Sequence, residues 1–188
     1  LMGGLYFSAI GAGFMFAEIA LIQRLSVYLG HPTYALGVLL FTMILSAGFG
    51  SLLSERMPLT RPFAFIISVA VLVAALFYLD DVLRIALADT IHSEFAVRVA
   101  VAVGLIAPLG VVMGFFFPTG MRIAVNSGAG DTPWFWALNG VFGVLSSACA
   151  VFVSLYLGIS TNYEIAAVCY ASLLVSGFGL RYKRSQAH

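Results

Sequence analysis

The sequence predicts an all-α polytopic membrane protein, a bundle of about six transmembrane helices. Three observations predict it. Of 188 residues, 62% are hydrophobic and only 9% are charged, whereas a water-soluble domain needs a polar shell with roughly 25% charged residues. Mean hydropathy is +1.05, so most of the surface must face lipid rather than water. The charged residues also divide the chain into uncharged runs, each near the roughly 20 residues that cross a hydrocarbon core.

The first run, about residues 1–25, has no basic leader segment and reads as a true span interrupted by Glu18. Gly30-His31-Pro32 is a turn signal, and a second helix over about 33–54 follows it, making a tight helical hairpin. Pro62 suits a first helical turn, and the third helix is expected over about 62–79. Asp80 to Glu94 carries charges on no single face and is expected to be a polar connection with interfacial helix at most. The fourth helix, about 97–117, contains Pro108, which should kink it, and should end at Pro118. Thr132-Pro133 is an N-cap followed by a first-turn proline, starting a fifth helix over about 133–157. After Gly158 a sixth covers about 162–180, halted by the polar tail Arg181-Tyr182-Lys183-Arg184.

Basic residues set the orientation. With the N-terminus inside, the inner segments hold Arg56, Arg61, Arg122, Arg181, Lys183 and Arg184, and the outer ones Arg24, Arg84 and Arg98. The excess places both termini in the cytoplasm. Most acids, Glu18, Asp80, Asp81, Asp89, Glu94 and Glu164, fall on the outer side.

Small and polar residues recur on single helical faces. Gly4, Ser8, Gly11 and Glu18 share one face of the first helix; Thr42, Ser46, Gly50 and Ser54 one of the second; Asn139, Gly143, Ser146, Ala150 and Ser154 one of the fifth. Such faces allow close backbone approach, and these three are expected to meet one another. Glu18 stands six residues before Arg24, roughly 9 Å inside the boundary. A carboxyl group at that depth needs a partner, water or a proton. A rim ion pair would draw on Arg24, His31 or Arg98; a cation-binding cavity would combine Glu18 with Gln23, Tyr34 and Asn139. Arg24, His31, Arg98 and Arg122 are expected to act as structural polar partners, with His31 in the turn.

Several functions are excluded or unsupported. A net charge of +1 with nine scattered basic residues gives no nucleic-acid-binding face. His31, His92 and His188 stand at no metal-ligand spacing, and Cys149 and Cys169 lie in apolar runs, so no metal site is expected. Gly11-Ala12-Gly13, Gly48-Phe49-Gly50 and Gly128-Ala129-Gly130 lack the strand-to-helix context of a nucleotide fingerprint and read as packing or loop glycines. No nucleophile and base pair is evident, so no catalytic residue and no cofactor is assigned to this chain, which is expected not to be an enzyme by itself.

Four segments stand out against apolar helices in general: Gly13-Phe-Met-Phe-Ala-Glu-Ile-Ala-Leu-Ile-Gln-Arg24, Gly30-His-Pro-Thr-Tyr-Ala35, Met113-Gly-Phe-Phe-Phe-Pro-Thr-Gly-Met-Arg122 and Trp136-Ala-Leu-Asn-Gly-Val-Phe-Gly143. Together they resemble the membrane-embedded portion of bacterial spermidine-synthase-like fusion proteins, also described as fused transporter and spermidine synthase. The resemblance implies a bacterial inner membrane and a fused cytosolic domain similar to aminopropyltransferases or methyltransferases, binding S-adenosylmethionine or its decarboxylated form. This sequence has no αβ alternation or glycine-rich strand-to-helix loop that would supply that domain. It opens on Leu1 and is expected to be a fragment of a longer chain. Implied partners are the lipid bilayer, a transferase domain or other membrane subunits, and further copies of the chain. Two roles follow: transport or presentation of a small cationic product, or a non-catalytic structural anchor.

Overall fold

The computed structural model describes residues 2–126 and 132–185, with side chains up to residue 125 and again over 132–180. Seven helical elements, α1 (Met2–Leu29), α2 (Pro32–Arg56), α3 (Pro62–Thr90), α4 (Phe95–Met113), α5 (Phe116–Asn126), α6 (Thr132–Leu157) and α7 (Ile159–Ser185), follow one another with no strand among the described residues. They make six spans long and apolar enough to cross a membrane, because α4 and α5 together form one. The chain is a multi-pass membrane protein. Phe41, Ile44, Phe63, Val144, Phe152 and Leu155 project outward from the bundle, as lipid-facing side chains must.

The turns follow their sequence signals. Gly30 adopts φ +83, the left-handed conformation that ends α1, and the next residue caps α2: His31 Nδ1 accepts from Thr33 N at 3.1 Å, with Pro32 in the first turn. Gly158, at φ +94, reverses the chain between α6 and α7. The Gly128-Ala129-Gly130 segment and Asp131 lie outside the described residues, as do the side chains of the tail from Arg181.

Two elements differ most from expectation, and α7 also runs past Leu180 to Ser185 instead of stopping at the polar tail. The third helix does not stop at Leu79 but runs to Thr90. Its buried stripe Leu72, Leu76, Leu79, Leu83 and Leu87 continues at helical spacing through the charged segment, and Asp80 is buried with it. The apolar face outlasts the uncharged run, so charge is a poor marker of where this helix ends. The fourth span does not end at Pro118 either. Its break comes earlier, at Gly114 and Phe115, and Pro118 sits in the first turn of α5, where a missing N–H is tolerated.

α1 is the hub, packing chiefly on α6 and α7 and also on α2, α4 and α5. At Gly11 a Cβ would overlap the backbone carbonyl of Asn139, so the close α1–α6 crossing requires glycine there. Gly143, on the facing side, keeps ordinary contact with Met15 and has room for a methyl group. The second-helix seam is a correction: it faces α4 rather than α6. Cβ atoms at Gly50, Gly110 and Gly114 would strike Val111, Ser46 and Ala47 in turn, which is an interlocked crossing of small residues from both helices. The hydroxyls there bond their own helix, Thr42 to Val38 O at 2.7 Å and Ser46 to Thr42 O at 2.6 Å, so shape rather than interhelical hydrogen bonding holds the seam.

Candidate functional site: a cavity at a broken helix

The break in the fourth span is written into Met113-Gly-Phe-Phe-Phe-Pro118. Gly114 N still bonds Gly110 O at 2.9 Å, but Phe115 N bonds Val112 O at 3.1 Å, one residue short of the α-helical step. Pro118 has no N–H to give to the Gly114 carbonyl. The start of α5 is pinned instead from α1: Tyr6 Oη donates to Phe116 O at 2.9 Å.

A cavity of about 500 Å³ lies beside this break, walled by α1, α2, α6, the α4/α5 junction and Tyr170 of α7. Its walls are mostly apolar, with Phe14, Met15, Phe117 and Trp136 among them. The polar groups are few: Ser51 from α2, and Asn139 and Ser147 from α6. Asn139 Oδ1 is buried and has no hydrogen-bond partner among the described residues, and the same holds for Tyr170 Oη on another wall. Gly140 also lines the space, and a Cβ there would meet nothing within 4 Å. An apolar cavity with a few convergent polar groups at a discontinuous membrane helix is a common form of small-molecule site.

Glu18 is buried on the α1 face that carries Gly11 and Met15, one turn beyond the cavity wall. It has no hydrogen bond or ion pair among the described residues, and the three partners expected for it are all engaged elsewhere. Arg24 bonds Asp80 and reaches Ser160 Oγ at 3.4 Å. His31 caps α2. Arg98 donates to the Tyr28 carbonyl at 2.8 Å, closing the C-terminus of α1.

The four residues expected to share a cation cavity are not brought together. Asn139 lines the cavity; Glu18 lies beside it. Gln23 lines a separate, smaller cavity at the end of the bundle where α1 finishes, called here the distal end. Tyr34 is exposed at that same end, its ring edge-on to His31 and Phe95. Arg122 acts at the opposite end as a structural partner, donating to Ser54 O at 2.9 Å and Ser54 Oγ at 3.1 Å, which ties α5 to the end of α2.

Two features escaped sequence reasoning. One is the distal lock around Asp80, which accepts from Arg24, from Arg84 at 2.8 Å and from Ser160 Oγ at 2.8 Å, joining α1, α3 and α7. Only the Asp80/Arg84 spacing of four residues hinted at it. The other is the break at Gly114, which Pro118 four residues later favours by lacking the N–H that an unbroken helix would bring to the Gly114 carbonyl. Among the described residues no cluster of His, Cys, Asp or Glu could hold a metal ion. No family model, curated protein or solved structure matches the chain.

Proposed function

We propose that this chain is a substrate-handling membrane module that binds a small amine-bearing molecule with an apolar body in the cavity at the α4/α5 break, and moves or presents it. The observation that carries this reading is the coincidence of a broken span, an adjoining space large enough for such a ligand, and two side-chain polar groups at that space with no partner among the described residues, Asn139 Oδ1 and Tyr170 Oη. Such groups suit an amine, because the amide oxygen and the phenol oxygen can both accept from its N–H groups. Glu18, one turn along α1, offers a carboxyl group without a partner among the described residues to a ligand that moves toward the distal end, and the amine would supply its counter-charge.

Three of the four segments resembling spermidine-synthase-like fusion proteins contribute cavity walls: Phe14 and Met15 from the first, Met113, Gly114, Phe117 and Pro118 from the third, and Trp136, Asn139, Gly140 and Gly143 from the fourth. That supports a polyamine-type product of a fused or associated cytosolic transferase as the ligand, in a bacterial inner membrane with both termini cytoplasmic. The basic-residue asymmetry supports the same orientation.

The test is spermidine uptake into proteoliposomes. Gly140→Phe places a bulky side chain on the cavity wall at a position where a Cβ meets nothing within 4 Å, so the expected outcome is loss of saturable uptake with an unchanged melting temperature. Uptake by that variant equal to wild type, or no saturable uptake by the wild type, overturns the proposal in favour of a structural anchor.

A further inference from the structure

The distal end holds a second cavity, about 200 Å³, unrelated to the broken helix. Its polar wall consists of Arg24, Arg84 and Gln23, with Tyr28 behind them. No carboxylate lines it. Asp80, which holds both guanidiniums, lies outside the lining, and Asp81, Asp89 and Glu164 are exposed without reaching it. The cavity therefore presents two cations held together by one shared carboxylate, Asp80, and by Ser160 Oγ, to which both donate. Their hydrogen-bonding capacity is not used up: Arg24 Nε is buried with no partner among the described residues, and the Arg84 side chain is 60% exposed. Gln23 Oε1 is likewise buried and unpartnered, and its amide can turn to offer an N–H instead.

The rest of the wall is apolar. Val27 and Ile91 stand at the cavity and project outward from the bundle. Arg24 lies five residues before the end of α1, so the cations sit at the level where a span passes from hydrocarbon to headgroups.

We propose that this cavity binds a phosphate group, clasped between Arg24 and Arg84, with an apolar body along Val27 and Ile91. Guanidinium pairs match phosphate oxygens in geometry and charge, and basic pockets between membrane helices take lipid headgroups in this way. A phospholipid and free phosphate share the chemistry, and the experiment separates them. Native mass spectrometry of the detergent-purified protein compares retention of phosphatidylglycerol with that of diacylglycerol, which lacks the phosphate. Melting temperature is measured in parallel with and without millimolar inorganic phosphate.

Preferential retention of phosphatidylglycerol identifies a lipid ligand, and stabilisation by inorganic phosphate alone identifies a free anion. In either case Arg84→Gln should weaken binding roughly fivefold, the equivalent of about 1 kcal/mol for one basic group. Ala88→Trp, which fills the cavity and leaves both guanidiniums in place, should weaken it as well, while Arg56→Gln at the opposite end should not. Equal retention of both lipids with no phosphate effect, or unchanged binding by folded Arg84→Gln and Ala88→Trp, overturns the proposal.

Discussion

Replacing Asp80 with alanine should destabilise the bundle far more than replacing Arg84, the more exposed of the two arginines that it binds. Asp80 is the common acceptor for groups on α1, α3 and α7, and its side chain is only 11% exposed. Its loss leaves Arg24, 25% exposed, with a charge that has no counterion, and Ser160 without its acceptor. Removing one partner of a buried pair costs about 3–5 kcal/mol. Because Arg24 retains some solvent access, the low end applies, about 3 kcal/mol. Arg84 is mostly exposed and contributes in the range of surface pairs, about 0.5 kcal/mol. For a chain of this length those figures correspond to roughly 6–12 °C and about 1–2 °C in melting temperature. Thermal unfolding of the purified variants measures both, and a double-mutant cycle between Asp80 and Arg24 should return a coupling of about 2 kcal/mol. Equal costs for Asp80→Ala and Arg84→Ala, or a coupling near zero, would refute the assignment of Asp80 as the centre of the lock.

Gly11→Leu should prevent assembly of the bundle, since the side chain would strike the Asn139 backbone, whereas Gly140→Leu should leave the melting temperature within about 2 °C of wild type; detergent stability assays compare them. Glu18→Gln should abolish spermidine flux in reconstituted vesicles with little loss of stability; a lower melting temperature with unchanged flux per folded molecule would assign Glu18 to packing alone. Pro118→Ala restores an N–H opposite the Gly114 carbonyl and should stabilise the span by about 1 kcal/mol while reducing uptake, read by unfolding and flux on the same preparation. Single cysteines at Thr60 and Glu94, in a background without Cys149 and Cys169, should label from opposite faces of the membrane; labelling from one face would overturn the six-span topology.

The sequence by itself determined the fold class, because hydropathy and span length report on the solvent and need no knowledge of neighbours. It also located the turns at Gly30 and Gly158, where backbone conformation is a local property, and the small-residue faces of α1, α2 and α6. Pairing of those faces was decided only by the tertiary structure. A stripe such as Ser46 and Gly50 shows that a backbone will approach closely but not whose, and α2 found its complement in Gly110 and Gly114 of α4. The ion pairs were hidden for the same reason: Arg24 and Asp80 are 56 residues apart, and nothing local makes Asp80 a better partner for Arg24 than Glu18. Buried charge is matched by position in space, so Glu18 remained unpaired while an aspartate assigned to a loop became the polar centre of the distal end. The cavity, too, belongs to the assembled helices, since Asn139, Gly114 and Met15 acquire a common space only when α1 draws α4, α5 and α6 around it.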